Sequence, residues 1–522
     1  MDGINRQSKI VNSKEGTLTM PSRGRLELSV LAAAVVLGIL ADALLRTLPW
    51  GLNFFIWMAA LSAILAFHAR ARKETRSGVG YWLPGLAALF ALSLAWRDSL
   101  ALTFLSLLAA LTALALIILQ AQAGQIRRAG LVEYALGAVL AVLNAAFGLL
   151  LLLFGEAEWR KLIGDRGSRR AMAAVRGVLL ALPCLFIFGG LFMAADAVFD
   201  HIVRKTFHVN FRQLFIHFSV AAFLAWCAGG YLRGMLWGQE IAAIKGKRLP
   251  SISLGTIEGG VALGALDLLF LAFVLVQVRY FFGGSALVQA TTGLTYAQYA
   301  RHGFFQLFDV AVLMLPLLLL VHWLMAQRGP EGERVFRVLA GVQIVLLFVV
   351  MASALERMLL YQSEYGLTEQ RLYATAFMGW LAAVFLWFVI TVLRGHRERF
   401  AFGATAAGFI LVIALHLLNP DALVARINLA RAIAGRSFDA RYASRLSADA
   451  VPEIIAALPN LNPQDRCIVA SEFLTRWSPS QPSDWRAWNW SRARATQAVQ
   501  EKMASLKTMQ AMPCPPQDQI MH

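Results

Sequence analysis

Apolar stretches long enough to cross a bilayer recur along this chain from about Leu26 to Asn419. A hydrocarbon core of about 30 Å requires about 20 helical residues, and helices satisfy every backbone N–H and C=O group inside lipid. We therefore predict an all-α, polytopic transmembrane helix bundle. The apolar spans lie near 26–45, 51–69, 80–96, 99–119, 131–155, 176–195, 213–232, 256–278, 304–326, 336–355, 372–393 and 400–418.

The composition agrees with a membrane protein and gives little support to nucleic-acid binding. Only 15% of the 522 residues are charged, whereas soluble proteins carry about 25%. The formal net charge is +17, but the basic residues form short clusters beside the apolar spans, at 70–76, 166–170, 245–248 and 394–399. Cytoplasmic loops that contact anionic lipid have this pattern. We expect a lipid bilayer as a partner, and no nucleic acid.

The basic clusters disagree with an even number of crossings. If residues 1–25 are cytoplasmic and there are twelve spans, the early clusters fall inside and the later ones outside. The two halves agree only if one crossing is gained or lost between about 97 and 155. The Trp96-Arg97-Asp98 break and the long run 131–155 are the weak points. We predict eleven or thirteen crossings, which puts the chain after Asn419 on the exoplasmic side.

Four segments follow from this pattern: a cytoplasmic segment 1–25, a bundle 26–419, a C-terminal helical domain 420–508 and a loose end 509–522. In the C-terminal domain, prolines separate short amphipathic segments, and several tryptophans offer a modest core or an interfacial anchor. A Cys467–Cys514 disulfide is possible only if this domain lies outside the cytosol. The longest predicted exoplasmic loop is 279–303.

Asp267 is the sharpest candidate for chemistry, because it lies in the middle of the 256–278 span. A charge at that depth costs about 2.5–3.5 kcal/mol even on lenient scales. Gly260, Gly264 and Asp267 share one helix face, and the two glycines allow another helix to come close. Asp267 should therefore point into a helix interface or cavity. It could be a proton relay or ion ligand, or a protonated group hydrogen-bonded across helices.

Asp309 and Glu356 are further relay candidates, although interfacial residues with water access are the simpler interpretation of both. No phosphate-binding loop, HExxH, GxSxG or CxxC motif is present. We therefore predict no cofactor, no metal site and no catalytic residue.

Several short sequence segments together carry a family resemblance. They are Arg279-Tyr280 with Phe282-Gly283-Gly284, the run 294–301, Tyr365-Gly366-Leu367-Thr368-Glu369 with Arg371-Leu372-Tyr373, Asn419-Pro420-Asp421-Ala422, and the run 446–452. On these residues the chain resembles, over roughly 170–495, the bacterial polytopic membrane proteins grouped as domain of unknown function 4173, close to domain of unknown function 4153. The resemblance implies a bacterial inner-membrane protein with no established activity.

The predicted topology gathers many of the family-like residues at the exoplasmic face, among them Tyr280, Arg301, Glu369, Arg371 and Asp421. Such a group can form a binding surface. It can equally form a structural hydrogen-bond network that closes the bundle and seats the tail.

Three functions fit these observations. The first is a transporter-like protein that uses Asp267. The second is a non-enzymatic envelope or signalling protein that binds a partner through its exoplasmic loops and C-terminal domain. The third is an intramembrane enzyme in which Arg301, Arg371 and Glu369 handle a phosphorylated lipid head group. The enzyme ranks last because no nucleophile–base pair is evident.

Overall fold

The described part of the computed structural model is helical. It comprises residues 23–71, 82–153, 211–238, 240–241, 255–292, 296–325, 329–477 and 484–511, with isolated positions between 177 and 199. The helices are α1 Arg23–Leu45, α2 Leu52–Ala71, α3 Trp82–Trp96, α4 Leu100–Ala123, α5 Leu131–Leu151, α6 Phe211–Trp237, α7 Thr256–Thr292, α8 Tyr296–Met325, α9 Gly329–Tyr365, α10 Glu369–Thr391, α11 Phe400–Leu418, α12 Pro420–Ile433, α13 Ala440–Arg445, α14 Val451–Ala457, α15 Pro463–Trp477, α16 Trp490–Glu501 and α17 Met503–Gln510. The predicted all-α fold is confirmed.

Within the described residues, ten helices are long and apolar enough to cross a membrane, namely α1, α2 and α4 to α11. Helix α3 is apolar but has only 15 residues. The predicted span 176–195 falls on a segment in which only isolated positions are described. The protein is thus a multi-pass membrane protein, while the count of eleven or thirteen crossings stays a prediction.

The predicted loop 279–303 is largely helical, while its exoplasmic location stays a prediction. Helix α7 continues to Thr292, and α8 already begins at Tyr296. Hydropathy marks where lipid contact ends, but a helix continues as long as its backbone bonds can form. Residues 279–303 contain no proline, so no missing backbone N–H interrupts the helix where α7 extends past its apolar part.

The chain divides into two compact units. The first comprises Met1–Arg46 and Ala141–Trp237, and its described helices are α1, the second half of α5, and α6. Small residues allow these helices to approach closely, because a Cβ atom at Gly230 would collide with the backbone carbonyl of Asn144. A buried polar pair adds to this contact, since Arg233 donates to Asn144 Oδ1 at 3.0 Å.

The second unit comprises Thr47–Leu140 and Gly238–His522. Helices α3 and α4 form an antiparallel hairpin around a turn at 97–99, and the Oγ atoms of Ser93 and Ser106 lie 2.8 Å apart across it. Helices α7, α8 and α9 pack together and continue onto α10 through a shared apolar core that includes Leu263, Met314, Phe336, Leu347 and Phe385.

The tail, helices α12 to α17, has a core of its own around the fully buried Phe473, with Val424, Leu446, Ile454 and Val499. Its polar contacts reach the turn at 97–99 and the start of α10. The basic turn Ile126–Arg128 lies at the other end of α4, where Arg127 stacks on Phe402 at 5.8 Å from the ring centre. The tail and this basic turn therefore lie at opposite ends of α4 and α11.

Candidate functional site

The register of α7, α8 and α9 places three notable residues at one depth. Gly260 of α7 lies against Val335 of α9, and Gly259 lies against Met325 of α8. Two turns further along α7 is Asp267, and two turns from Val335 along α9 is Gln343. About two and a half turns back along α8 from Met325 is Pro316, on the exposed face of that helix. We call Asp267, Gln343 and Pro316 the midmembrane layer.

The polar side chains of this layer are buried and unsatisfied. Asp267 is 8% exposed and Gln343 is 0% exposed. Neither carboxylate oxygen of Asp267 and neither amide atom of Gln343 has a hydrogen-bond partner. An unsatisfied buried polar group costs about 1–3 kcal/mol, so such groups usually serve a purpose or hold a water or ion. The structure thus places Asp267 in a helix interface, but without the cross-helix hydrogen bond of the purely structural interpretation.

Pro316 adds a backbone feature to the layer. It lies inside α8, and proline has no N–H to donate to the carbonyl four residues earlier. The carbonyl of Val312, one turn towards the tail, therefore lacks its usual helical partner. Pro316 itself is exposed, so this interruption lies on the outer face of α8 and not against Asp267.

Polar groups also lie above and below the midmembrane layer. Towards the tail, Gln277 Oε1 accepts hydrogen bonds from Arg357 Nη2 at 2.6 Å and from Ser353 Oγ at 3.3 Å. Towards the basic turns, a cavity of about 190 Å³ is lined by His322, Met325, Glu333, Phe336, Gly395 and Arg397. The α7–α8–α9 group therefore carries polar side chains at three depths.

The other predicted relay residues lie elsewhere. Asp309 is exposed on α8, away from its buried face, and Glu356 is partly exposed beside the buried Arg357. Tyr280 and Arg301 belong to α7 and α8, but their side chains lie outside the described part. Sequence reasoning missed Gln343, although an amide in the middle of the 336–355 apolar run was a visible signal. In the described part, no three His, Cys, Asp or Glu residues are placed to hold a metal ion.

A second polar cluster fixes the tail to the bundle; we call Arg97, Asp98, Asp449, Asn489 and Ser491 the tail seat. Asp449 Oδ1 accepts from Arg97 Nη1 at 3.0 Å and from Ser491 Oγ at 2.5 Å. Its Oδ2 accepts from the backbone N–H of Asp98 at 2.8 Å. Asn489 Nδ2 donates to the carbonyls of Leu94 and Arg97, both at 2.8 Å. The break at 96–98 is thus the turn of a hairpin that binds the tail.

Electrostatics within the tail seat are balanced by pairing. Burial raises the pKa of Asp98, and the neighbouring Arg492 guanidinium partly opposes that rise. The Nε of Arg492 lies 3.5 Å from Asp98 Oδ1. Arg97 also donates from Nε to the carbonyl of His416 at 3.1 Å. The guanidinium groups of Arg97 and Arg492 therefore each have an oxygen partner.

Glu369, Arg371 and Asp421 lie at the same end of the bundle and are engaged internally. Asp421 is 1% exposed, and burial raises its pKa. Its Oδ2 faces the backbone N–H of Ser447 at 3.4 Å. The N–H of Glu369 donates to the Tyr442 hydroxyl at 2.9 Å, and burial raises the pKa of Tyr442 to about 12.

Arg371 and Asn428 complete this internal network. Arg371 Nη1 donates to the carbonyl of Gly366 at 2.5 Å and its guanidinium lies 3.9 Å from the centre of the Tyr361 ring. The Asn428 side chain accepts from the N–H of Leu367 at 2.9 Å and donates to its carbonyl at 2.7 Å. For these residues the geometry favours the structural network over an open binding surface.

Fold and site together define a multi-pass helical membrane protein with an unpaired carboxyl group at mid-depth. The family model described as Domain of unknown function (DUF4153) matches residues 85–457, and the chain belongs to this family. Of the two groupings suggested by the sequence phrases, this is the second; membership of domain of unknown function 4173 is not shown. The match includes the midmembrane layer. No curated protein and no solved structure matches the chain.

Proposed function

We propose that the protein is a proton-coupled, transporter-like protein of the bacterial inner membrane, with Asp267 as its proton carrier. The observation that carries the proposal is that Asp267 and Gln343 are both buried without hydrogen-bond partners at one depth. An ionised carboxylate is costly there. Asp267 therefore binds a proton when enclosed and releases it when water enters, while Gln343 supplies both a donor and an acceptor.

The surroundings of Asp267 support a path towards both faces. Gln277, Ser353 and Arg357 lie on the tail side, and His322 and Glu333 lie on the side of the basic turns. Pro316 interrupts the backbone bonding of α8 at a similar depth, on the exposed face of that helix. A site at mid-depth with polar groups on either side suits alternating access.

We also propose that the tail is exoplasmic. The basic turns at 126–128 and 394–399 lie at the opposite end of the helices from the tail, and basic turns favour the cytoplasm. Cys467 is disulfide-bonded, and its partner lies outside the described residues. Disulfides persist in oxidising compartments, which supports the same side.

Partner binding through the C-terminal domain has weaker support. Of the residues that suggested a binding surface, Arg371 and Asp421 use side-chain atoms within the molecule, and Glu369 uses its backbone N–H. The lipid-enzyme alternative loses Arg371 for the same reason. We therefore place the transporter-like function first.

The test is proton entry into vesicles that contain the full chain and a trapped pH-sensitive dye. After an acid jump outside, the wild-type protein should acidify the lumen faster than empty vesicles do. Asp267→Asn should abolish the difference, because the amide keeps the size of the side chain but carries no exchangeable charge. Asp309→Asn is the matched control, since Asp309 is an exposed carboxylate on α8, and it should retain wild-type entry.

An Asp267→Asn protein that conducts protons like the wild type would overturn the proposal. Melting temperatures in detergent, measured for all three proteins, separate loss of transport from loss of folding. A loss of proton entry in both variants at unchanged melting temperature would also count against Asp267 as the specific carrier.

A further inference from the structure

The cavity of about 190 Å³ at the basic-turn end of the bundle has both charged and apolar residues in its wall. Pockets for drug-sized ligands are about 300–1,000 Å³, so this cavity suits a smaller solute. Its wall is built by the end of α8, the first turns of α9 and the turn after α10, through His322, Met325, Glu333, Phe336, Gly395 and Arg397.

The polar groups of this wall are not used up by the fold. The guanidinium of Arg397 makes no hydrogen bond or ion pair with any residue that the structure describes. The imidazole of His322 packs on the Phe336 ring at 4.9 Å between ring centres, and its nitrogens have no hydrogen-bond partner in the same part of the chain. Glu333 Oε1 accepts from Arg337 Nη2 at 2.9 Å, which leaves Oε2 for another donor.

The charges of the wall are mixed, and they surround an apolar floor. His322 interacts electrostatically with both Arg397 and Glu333, so the three polar groups lie close together. Met325 is 1% exposed and Phe336 is 2% exposed, whereas Glu333 and Arg397 are exposed at the rim. A guanidinium recognises a carboxylate through paired hydrogen bonds, and a carboxylate oxygen accepts from an ammonium group. The wall therefore matches a small solute that carries both charges and an apolar part.

We propose that this cavity binds a small apolar α-amino acid in its zwitterionic form. The carboxylate of the amino acid binds Arg397 and the N–H of a neutral His322, and its ammonium group binds Glu333 Oε2. Its side chain lies against Met325 and Phe336. Binding requires no proton movement. Only the role of the amino acid as the cargo that moves with the proton rests on the proposed function.

The test is isothermal titration of the full chain in detergent with L-alanine, propionate and ethylamine. Propionate lacks the ammonium group and ethylamine lacks the carboxylate, so each compound tests one half of the site. A hydrogen bond to a charged group changes affinity by roughly 10- to 100-fold. The wild type should therefore bind alanine more tightly than either half by about that factor.

Two variants and their matched controls assign the contacts. Arg397→Gln should weaken alanine binding by roughly 10- to 100-fold, while Arg394→Gln should not, because Arg394 is an exposed arginine of the same turn that does not line the cavity. Glu333→Gln should bind alanine no better than propionate. A purely structural role of Glu333 would leave that preference intact. Glu331→Gln, in the same helical turn region but outside the cavity wall, should keep the preference.

The proposal is wrong if the wild type binds no alanine at millimolar concentration, if it binds alanine and propionate equally, or if Arg397→Gln keeps its affinity for alanine. Tighter binding of phosphoethanolamine than of alanine would assign the cavity to a lipid head group instead. Melting temperatures identify folded variants. Asp267→Asn should keep wild-type affinity for alanine, since Asp267 does not line the cavity. Failure of amino-acid binding is therefore distinguishable from failure of proton entry.

Discussion

Asp449 and Asp267 are both buried carboxyl groups, and their surroundings differ in kind. Asp449 has four hydrogen-bond donors around its two oxygens, from Arg97, Ser491, Ser447 and the backbone of Asp98. Asp267 has none. Paired buried groups fix geometry, whereas unpaired ones remain available to a proton or ligand. This residue-scale contrast separates the structural tail seat from the midmembrane layer.

The pairing at the tail seat predicts a large effect of Asp449→Ala. The substitution leaves the guanidinium of Arg97, whose side chain is 13% exposed, without its carboxylate. Breaking a buried pair by removing one partner costs about 3–5 kcal/mol. Glu453→Ala is the control, because its ion pair with Arg426 is exposed and worth about 0–1 kcal/mol. Denaturant unfolding with proteolysis of the tail measures both, and similar losses would contradict this account.

At the scale of elements, close helix contacts depend on which glycines face a neighbour. Gly230 of α6 lies against the backbone of α5 within the first unit, and Gly148 of α5 in turn lies against the backbone of Gly230. The predicted pair Gly260 and Gly264 behaves differently. Gly260 touches Val335, but nothing lies near Gly264. The spacing of Gly260 and Gly264 therefore identified a face of small residues, but it could not show which of the two contacts a neighbouring helix.

This difference predicts the outcome of two matched substitutions. Gly230→Ala should destabilise the protein, by roughly 1–3 kcal/mol as in other overpacked interfaces, because the new Cβ meets the Asn144 carbonyl. Gly264→Ala should be neutral or slightly stabilising, because alanine favours helix and space is open. Melting curves in detergent give both values. A tolerated Gly230→Ala would show that α5 and α6 pack less closely than described.

Sequence reasoning located most membrane helices because an apolar run of about 20 residues has few alternatives in lipid. It could not pair polar side chains that are distant in sequence. Arg97 and Asp449 are 352 positions apart and meet only when the hairpin and tail are folded. Gln343 was missed because its depth relative to Asp267 depends on the register of α7 and α9. The predicted topology did place Glu369, Arg371 and Asp421 at one end of the bundle. Only the structure could show which hydrogen bonds they make there.

At the scale of the whole molecule, the tail belongs to the second unit and has an apolar core of its own, while the domain bounds 420–508 stay a prediction. Its link to residues 97–99 joins positions 351 residues apart, and its link to the start of α10 joins positions 73 residues apart. A tail so connected can transmit a change in helix position to the membrane surface.

The side of the membrane on which the tail lies tests the whole arrangement. Paired C-terminal reporters, one active only outside the cytosol and one only inside, should report an exoplasmic His522. With residues 1–25 in the cytoplasm, as predicted, that result requires an odd number of crossings. It keeps the basic turns at 126–128 and 394–399 cytoplasmic and places disulfide-bonded Cys467 in an oxidising compartment. A cytoplasmic tail would expose those basic turns outside and reverse the direction of the proposed proton path. Proton entry on its own detects a path through Asp267 without its direction, so the reporters supply the missing orientation.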